Sequence, residues 1–201
     1  MQAALDQLPA AITSHELSGT VENERLRQLA GALGWPPTEI NFAYVLAAAE
    51  ADALPRDDGL RGVVPEDHGW IAPLHELEFP TTYFSAQQLI ERAGTGDHVV
   101  LVATTADGHA AGYAAGRVQP DGIGYIDFVA VEPSVRGEGA GRRLVSGLAR
   151  RLLSDAPKAQ VHLTVQEHRA PARALYAALG FRLDIGFVGY RSPAGQGRGD
   201  R

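Results

Sequence analysis

Residues 124–165 constrain this chain more than any other stretch. Gly124–Val131 alternates in the manner of a strand, and Glu132-Pro133 closes it. A glycine-rich turn follows, and residues 139–153 then place Leu144, Val145, Leu148 and Leu152 on one stripe, with Arg142, Arg143, Arg150 and Arg151 away from it. Val161–Val165 reads as a second, buried strand. Two such strands joined through a helix are expected to run parallel, by a right-handed crossover. The chain is therefore expected to form a sheet with at least one parallel pair.

The flanking sequence adds antiparallel pairs. Leu60–Val64 predicts a short strand, closed by Pro65. Residues 66–78 predict a helix with Ile71, Leu74 and Leu77 inward, and Ser85–Gln88 is a capping box that opens another. Strands are expected around His98–Thr104 and Ala110–Val118, joined at Asp107-Gly108, and Pro120-Asp121-Gly122 turns the chain into Gly124–Val131. Pro171–Leu179 begins on proline and ends at Gly180, as helices do. Phe181–Arg191 is extended, with a bend expected at Gly186. This order predicts a mixed α/β sheet.

The first sixty residues differ. Residues 22–33 and 38–54 are rich in helix formers, and Ile40, Tyr44 and Ala47 or Ala48 would share one helical face. Leu54–Gly59 is turn-rich and marks a boundary. The expected organisation is a helical N-terminal extension over 1–59, a catalytic-type domain over 60–191 and a Gly- and Arg-rich disordered tail over 192–201.

Composition excludes several classes. With no cysteine, disulfides, thiolate metal sites and a cysteine nucleophile are ruled out. A net charge of −6 argues against nucleic acid as partner and mildly favours a neutral or cationic substrate. No apolar run has the length of a membrane span, and Met1–Ala11 lacks a signal-peptide pattern, so a cytoplasmic protein, monomeric or homodimeric, is expected. The histidines show no metal-binding spacing, and no Gly-x-Ser-x-Gly elbow is present.

The turn Val135-Arg136-Gly137-Glu138-Gly139-Ala140-Gly141-Arg142 is the sharpest chemical signal. Alternate glycines at a helix start let backbone amides approach an anion, and a pyrophosphate suits such a nest. The spacing is neither a P-loop nor the dinucleotide fingerprint. A purely structural turn remains the other reading of these residues alone.

A second motif lies beyond the next strand: Ala172-x-x-Leu175-Tyr176-x-x-Leu179-Gly180-Phe181. In order and spacing the pair resembles the signatures of the GNAT superfamily of acyl-CoA N-acyltransferases, over roughly residues 60–191. Arg136, Gly139 and Gly141 match the Arg/Gln-x-x-Gly-x-Gly motif. The resemblance implies a mixed, mostly antiparallel central sheet with helices on both faces. It also implies acetyl-CoA as co-substrate, without a metal. Val129, Ala130 and Val131 would pair with the pantetheine arm like an added strand. Arg136, Gly137, Glu138, Gly139, Ala140, Gly141 and Arg142 would hold the pyrophosphate. Tyr176 would sit near the sulfur and protonate the departing thiolate; a packed helix aromatic is the alternative.

Three departures from the family pattern stand out. The asparagine that touches the cofactor is replaced by Arg169, which can only donate. The glutamate that serves as base in the protein N-terminal acetyltransferases falls at Thr164. Residues 181–191 leave little room for the usual two closing strands.

The resemblance also implies a base, or its water relay, two or four residues before Val129, at Asp127 or Tyr125, and strand alternation would put both on Val129's face. Asp127 as a rim residue bonded to backbone is the other reading. The resemblance implies acceptor contacts from the segment linking the first two helices, residues 76–84, where Glu78, Phe79 and Tyr83 offer charge and aromatic surface to an amine with an apolar body. His75 reads as structural. Asn23–Trp35 lines up in spacing with Arg169–Phe181, consistent with a repeat relic or with a common helix-cap pattern. The expected activity is acetyl transfer to a primary amine, either a small molecule or a peptide N-terminus, by direct attack in a ternary complex. A non-catalytic acyl-CoA-binding regulatory module is the rival.

Overall fold

The computed structural model describes residues 15–56 and 59–193. The start of the chain and residues 194–201, most of the tail expected to be disordered, lie outside the described residues. The fold is mixed α/β, with eight strands in a mostly antiparallel sheet. The strands are β1 (Glu16–Thr20), β2 (Asn41–Ala47), β3 (Leu60–Gly62), β4 (Val99–Thr104), β5 (Ala110–Val118), β6 (Gly124–Val131), β7 (Gln160–Gln166) and β8 (Arg182–Arg191). The helices are α1 (Glu24–Ala32), α2 (His68–Glu78), α3 (Ala86–Thr95), α4 (Ala140–Asp155) and α5 (Ala170–Ala178). Hydrogen-bonded order is β1-β8-β2-β7-β6-β5-β4-β3. The chain divides into two compact units, the larger comprising residues 44–56, 59–164 and 170–183, the smaller 15–43, 165–169 and 184–193.

In the larger unit the sheet residues alternate between two cores. Val100, Val102, Tyr113, Ala115, Phe128 and Ala130 pack with Ile71 and Leu74 of α2 and Leu89 and Ile90 of α3. On the other face lies α4, whose Leu144, Val145, Leu148 and Leu152 are fully buried. A Cβ on its Gly147 would stand 3.6 Å from Leu101, the residue between Val100 and Val102. Each buried leucine contributes about 1.5–3 kcal/mol, so the α4 stripe is a main stabiliser of this unit. The β6–β7 pairing is parallel, as the crossover requires.

Residues 38–54, expected as a helix, instead form β2 and a 3-10 helix (Ala48–Ala53). Helix formers are numerous there, but the burial repeat is two: Tyr44 and Leu46 are buried and Val45 between them is not. Tertiary pairing overrides propensity at such a segment. Only α1 of the expected N-terminal helices forms. In sheet order β2 stands between β7 and β8. The shortage of residues after Phe181 is thus met by an N-terminal strand beside the single closing strand β8. In α2, Leu77 is 64% exposed and His75 takes the inward position.

In the smaller unit β1 pairs antiparallel with β8, from Glu16↔Arg191 to Thr20↔Phe187. Asn23 caps α1 by accepting from the Leu26 amide. Ala30, Trp35, Val188 and Tyr190 form its core. Helix α1 ends with the Trp35 amide donating to Ala30, as the Phe181 amide donates to Tyr176 after α5 in the larger unit. The two segments that line up in spacing, Asn23–Trp35 and Arg169–Phe181, thus share one form of helix closure. No helix among the described residues is long and apolar enough to cross a membrane.

Candidate active site

Strand β6 organises the site. Within the larger unit its described pairing with β7 covers Gly124↔Val161, Tyr125↔His162 and Ile126↔Leu163. From Asp127 onward that edge has no β7 partner, while the opposite edge stays paired to β5 as far as Gly112↔Val131. Such an edge offers backbone donors and acceptors to an extended ligand. Val129, Ala130 and Val131 lie along it. At its far end the Val131 carbonyl accepts from Arg136 Nε at 3.1 Å.

The β5–β6 register skips from Ala115↔Phe128 to Gly116↔Ile126, so Asp127 is the inserted residue of a β-bulge. The bulge resets the alternation. Phe128 and Ala130 join the core beneath α2 and α3. A Cβ on Gly124, also even-numbered, would meet Leu152 of α4 at 3.0 Å. Tyr125 and Asp127 therefore face the α2–α3 side, not the side of Val129. This corrects the expected common face. The alternation rule assumes no inserted residue, and nothing in residues 125–129 announces one.

Around Asp127 the fold gathers polar groups from four segments. Tyr83 Oη donates to Asp127 Oδ1 at 2.5 Å. His98 Nε2 is 3.7 Å from Oδ2, and Arg117 Nη2 is 3.9 Å from Oδ1. Tyr125 turns its hydroxyl to Thr164 Oγ1, 2.8 Å away. The side chains of Asp127 and His98 are 1% and 0% exposed. Asp127 Oδ2 and both His98 ring nitrogens lack hydrogen-bond partners. Burial raises the Asp127 carboxyl above the usual range, with Tyr83, Arg117 and His98 pulling it back. Burial lowers His98 and raises Tyr125 and Tyr83, the last further through its bond to Asp127. The result is a carboxylate that takes up a proton more readily than one in water.

The glycine turn lies beyond the open edge. Gly137 and Gly139 have φ of 88° and 91°, a region that favours glycine. A Cβ on either would meet nothing within 4 Å, so both open outward. Gly139 caps α4 with no side-chain hydrogen bond, and the helix begins Ala140, Gly141, Arg142. The first amides of a helix have no partner within it, which suits them to an anion. Arg142 is exposed, as is Glu138. The Arg136 guanidinium is paired to Glu78 at 2.5 Å, joining the end of α2 to the turn. These backbone groups and cations fit a pyrophosphate.

Tyr176 is buried on α5, its ring 6.2 Å from that of Tyr44 and 5.9 Å from that of Phe181. Arg169 belongs to the smaller unit, where its Nε donates to Gln166. A cleft of about 610 Å³ opens between α2 and α3, lined among others by Glu76, Phe79, Pro80, Tyr83 and Phe84. Phe79 and Tyr83, two of the residues expected to contact an acceptor, line this cleft. Glu78 does not line this cleft, and neither do Asp127, Tyr125 or Tyr176. His75 is structural: buried beside the cleft, it bonds Tyr113 and the Phe84 carbonyl.

Sequence reasoning missed His98 and Arg117. Each is polar and flanks or interrupts an otherwise apolar strand, and that is the signal that would have marked them. No cluster among the described residues has the make-up of a metal site.

Comparison with known proteins agrees with this architecture. The profile of the acetyltransferase (GNAT) family matches residues 67–181, more than half of the chain. A mycothiol acetyltransferase from Thermomonospora curvata is 41% identical over 88 residues, which are 43% of this chain and 29% of that protein. A GCN5-related N-acetyltransferase from Sphaerobacter thermophilus superposes with a TM-score of 0.69 at 20% identity, over 95% of this chain and 63% of that one. A phosphinothricin acetyltransferase from Sinorhizobium meliloti, solved with acetyl-CoA, gives a TM-score of 0.54 at 22% identity, over 69% of this chain and 89% of that one. The chain thus spans under a third of the curated relative and under two thirds of the first of these structures.

Proposed function

The chain belongs to the acetyltransferase (GNAT) family, and we propose that it transfers an acetyl group from acetyl-CoA to a primary amine with an apolar body. The observation that carries this reading is the continuity of the open β6 edge. It starts at a buried carboxylate, Asp127, and ends beside the uncapped start of α4. An extended thioester ligand with an anionic far end matches that sequence of groups.

In this reading the backbone of Val129, Ala130 and Val131 holds the pantetheine arm. Amides of Gly137 to Arg142 and the Arg136 guanidinium hold the pyrophosphate. Acetyl-CoA supplies an acyl group activated as a thioester. Asp127, raised by burial, removes a proton from the acceptor ammonium, with Tyr125 as its neighbour. Tyr176 returns a proton to the thiolate. The amine enters through the cleft at Phe79 and Tyr83, while Glu78, paired to Arg136 outside that cleft, orients the guanidinium. A volume of about 610 Å³ suits a small molecule. The amine attacks the thioester directly in a ternary complex, a course consistent with a sequence that has no cysteine to act as covalent nucleophile.

Thiol release from acetyl-CoA across a panel of primary amines, with N-acetyl product identified by mass and CoA binding measured in parallel, tests the proposal. Turnover with aryl- or alkylamines is expected. Tight CoA binding without turnover on any amine, small or peptidic, would replace it with a non-catalytic acyl-CoA-binding module.

A further inference from the structure

Asp127 is the natural base, yet it does not touch the cleft in which an acceptor fits. Its side chain is 1% exposed. Tyr83 bridges that separation: its ring lines the cleft and is 63% exposed as a residue, while its hydroxyl donates to Asp127 Oδ1 at 2.5 Å. One side chain thus reaches both the acceptor's space and the buried carboxylate. Building on the reading above, we propose that Tyr83 relays the acceptor's proton to Asp127, so that the base acts through a phenol and not by direct contact.

The transfer balances without a charged phenol. A proton leaves the acceptor ammonium for Tyr83 Oη as the phenolic proton passes to Asp127 Oδ1. The products are a free amine, a neutral tyrosine and a protonated carboxyl. The amine lone pair then forms the N–C bond and the C–S bond breaks; Tyr176 gives its phenolic proton to the thiolate and is reprotonated by the remaining excess proton on nitrogen. Asp127 returns its proton to solvent between turnovers. No tyrosinate forms, which matters because burial and the Asp127 charge hold the Tyr83 hydroxyl protonated.

The surroundings suit a relay. Tyr83 is fixed by rings on two sides, 4.8 Å from Phe84 and 5.6 Å from Phe128. Phe84 is in turn covered by Arg92 of α3 at 4.7 Å and by Arg117 of β5 at 5.7 Å. The titratable and charged groups around Asp127 are Tyr83, His98, Arg117 and Tyr125, with Arg92 and Asp97 acting on His98. His98, whose ring nitrogens have no hydrogen-bond partner, has its Nε2 3.7 Å from Asp127 Oδ2.

The test compares Tyr83→Phe, Tyr83→Ala and Asp127→Asn with the wild type, using its best acceptor from the amine panel. Tyr83→Phe keeps the ring and removes the relay: kcat is expected to fall about 100-fold, with desulfo-CoA affinity within twofold. Its acid limb moves to higher pH, because the bond that lowers the Asp127 carboxyl is gone. Tyr83→Ala, which admits water to the carboxylate, is expected to be faster than Tyr83→Phe. Full kcat with an unmoved pH profile in Tyr83→Phe, while Asp127→Asn is inactive, overturns the relay and leaves the base assignment standing. Full activity in Asp127→Asn, or no amine turned over by the wild type, overturns both. In the free protein, the Asp127 carboxyl carbon, followed by NMR, titrates at higher pH in Tyr83→Phe; no displacement also overturns the relay.

Discussion

Asp67 offers a stability prediction with a worked magnitude. Its carboxylate accepts from Arg61 Nη1 and Nη2 at 2.6 and 2.7 Å, from Trp70 Nε1 at 2.9 Å and from the Val64 amide at 2.9 Å. It thereby ties β3 to the first turn of α2, the helix that carries the acceptor cleft. Arg61 above all holds the carboxyl at about 2, against an ordinary 3.8. At 1.36 kcal/mol per tenfold change in proton affinity this is worth about 2 kcal/mol at neutral pH. That figure includes a discount because Arg61 is 43% exposed and solvent screens it. The folded form prefers the ionised carboxylate. Its contribution is therefore complete above about pH 5, about half gone near pH 3 and nearly lost at pH 2. Asp67→Asn should cost about 2 kcal/mol at pH 7, and the gap to wild type should close as pH falls below 4. Urea unfolding followed by far-ultraviolet circular dichroism, at several pH values from 7 to 3, measures it. A gap independent of pH, or one below about 0.5 kcal/mol at pH 7, would refute the reasoning.

Four further outcomes concern the site. Asp127→Asn should lower kcat about 100- to 1,000-fold with desulfo-CoA affinity intact. In the wild type, kcat/KM should fall with acid around a pH above the ordinary carboxyl value, because burial raises Asp127; an acid limb surviving in Asp127→Asn assigns it elsewhere. Tyr176→Phe should cut turnover at least tenfold while CoA affinity stays within twofold, and an unchanged rate with several acceptors removes its assigned role. Gly139→Val forces a β-branched residue into φ 91°, costing about 1–2 kcal/mol. Desulfo-CoA binding by calorimetry should weaken roughly 5- to 30-fold, and unaltered affinity would remove the turn from the phosphate site.

Much of the fold was legible because its signals are local. The crossover over 124–165, the Ser85–Gln88 capping box and the glycine closures at Gly108 and Gly180 depend on residues close in sequence, and each forms as read. The failures arise where distant pairing decides. Tyr44 and Leu46 take a two-residue repeat because β2 lies between β7 and β8, against the helix propensity of the alanines around them. His75 turns inward in place of Leu77 because Tyr113 and the Phe84 carbonyl, both distant in sequence, satisfy its nitrogens. At the site, the turn and Asp127 were visible as residue types. The bulge that turns Asp127 toward the cleft side, and the convergence of Tyr83, His98 and Arg117 upon it, follow from β5–β6 register and loop packing, which one sequence does not encode locally.

The central claim is that acetyl-CoA lies along the open edge of β6 with its pyrophosphate on the turn before α4. Backbone amide NMR during titration with acetyl-CoA tests it most directly. The account predicts saturable shifts concentrated at Val129, Ala130 and Val131 and at Gly137 to Arg142, with β1 and α1 unmoved. Saturable shifts confined to other segments, or none at these residues at full occupancy, would contradict it.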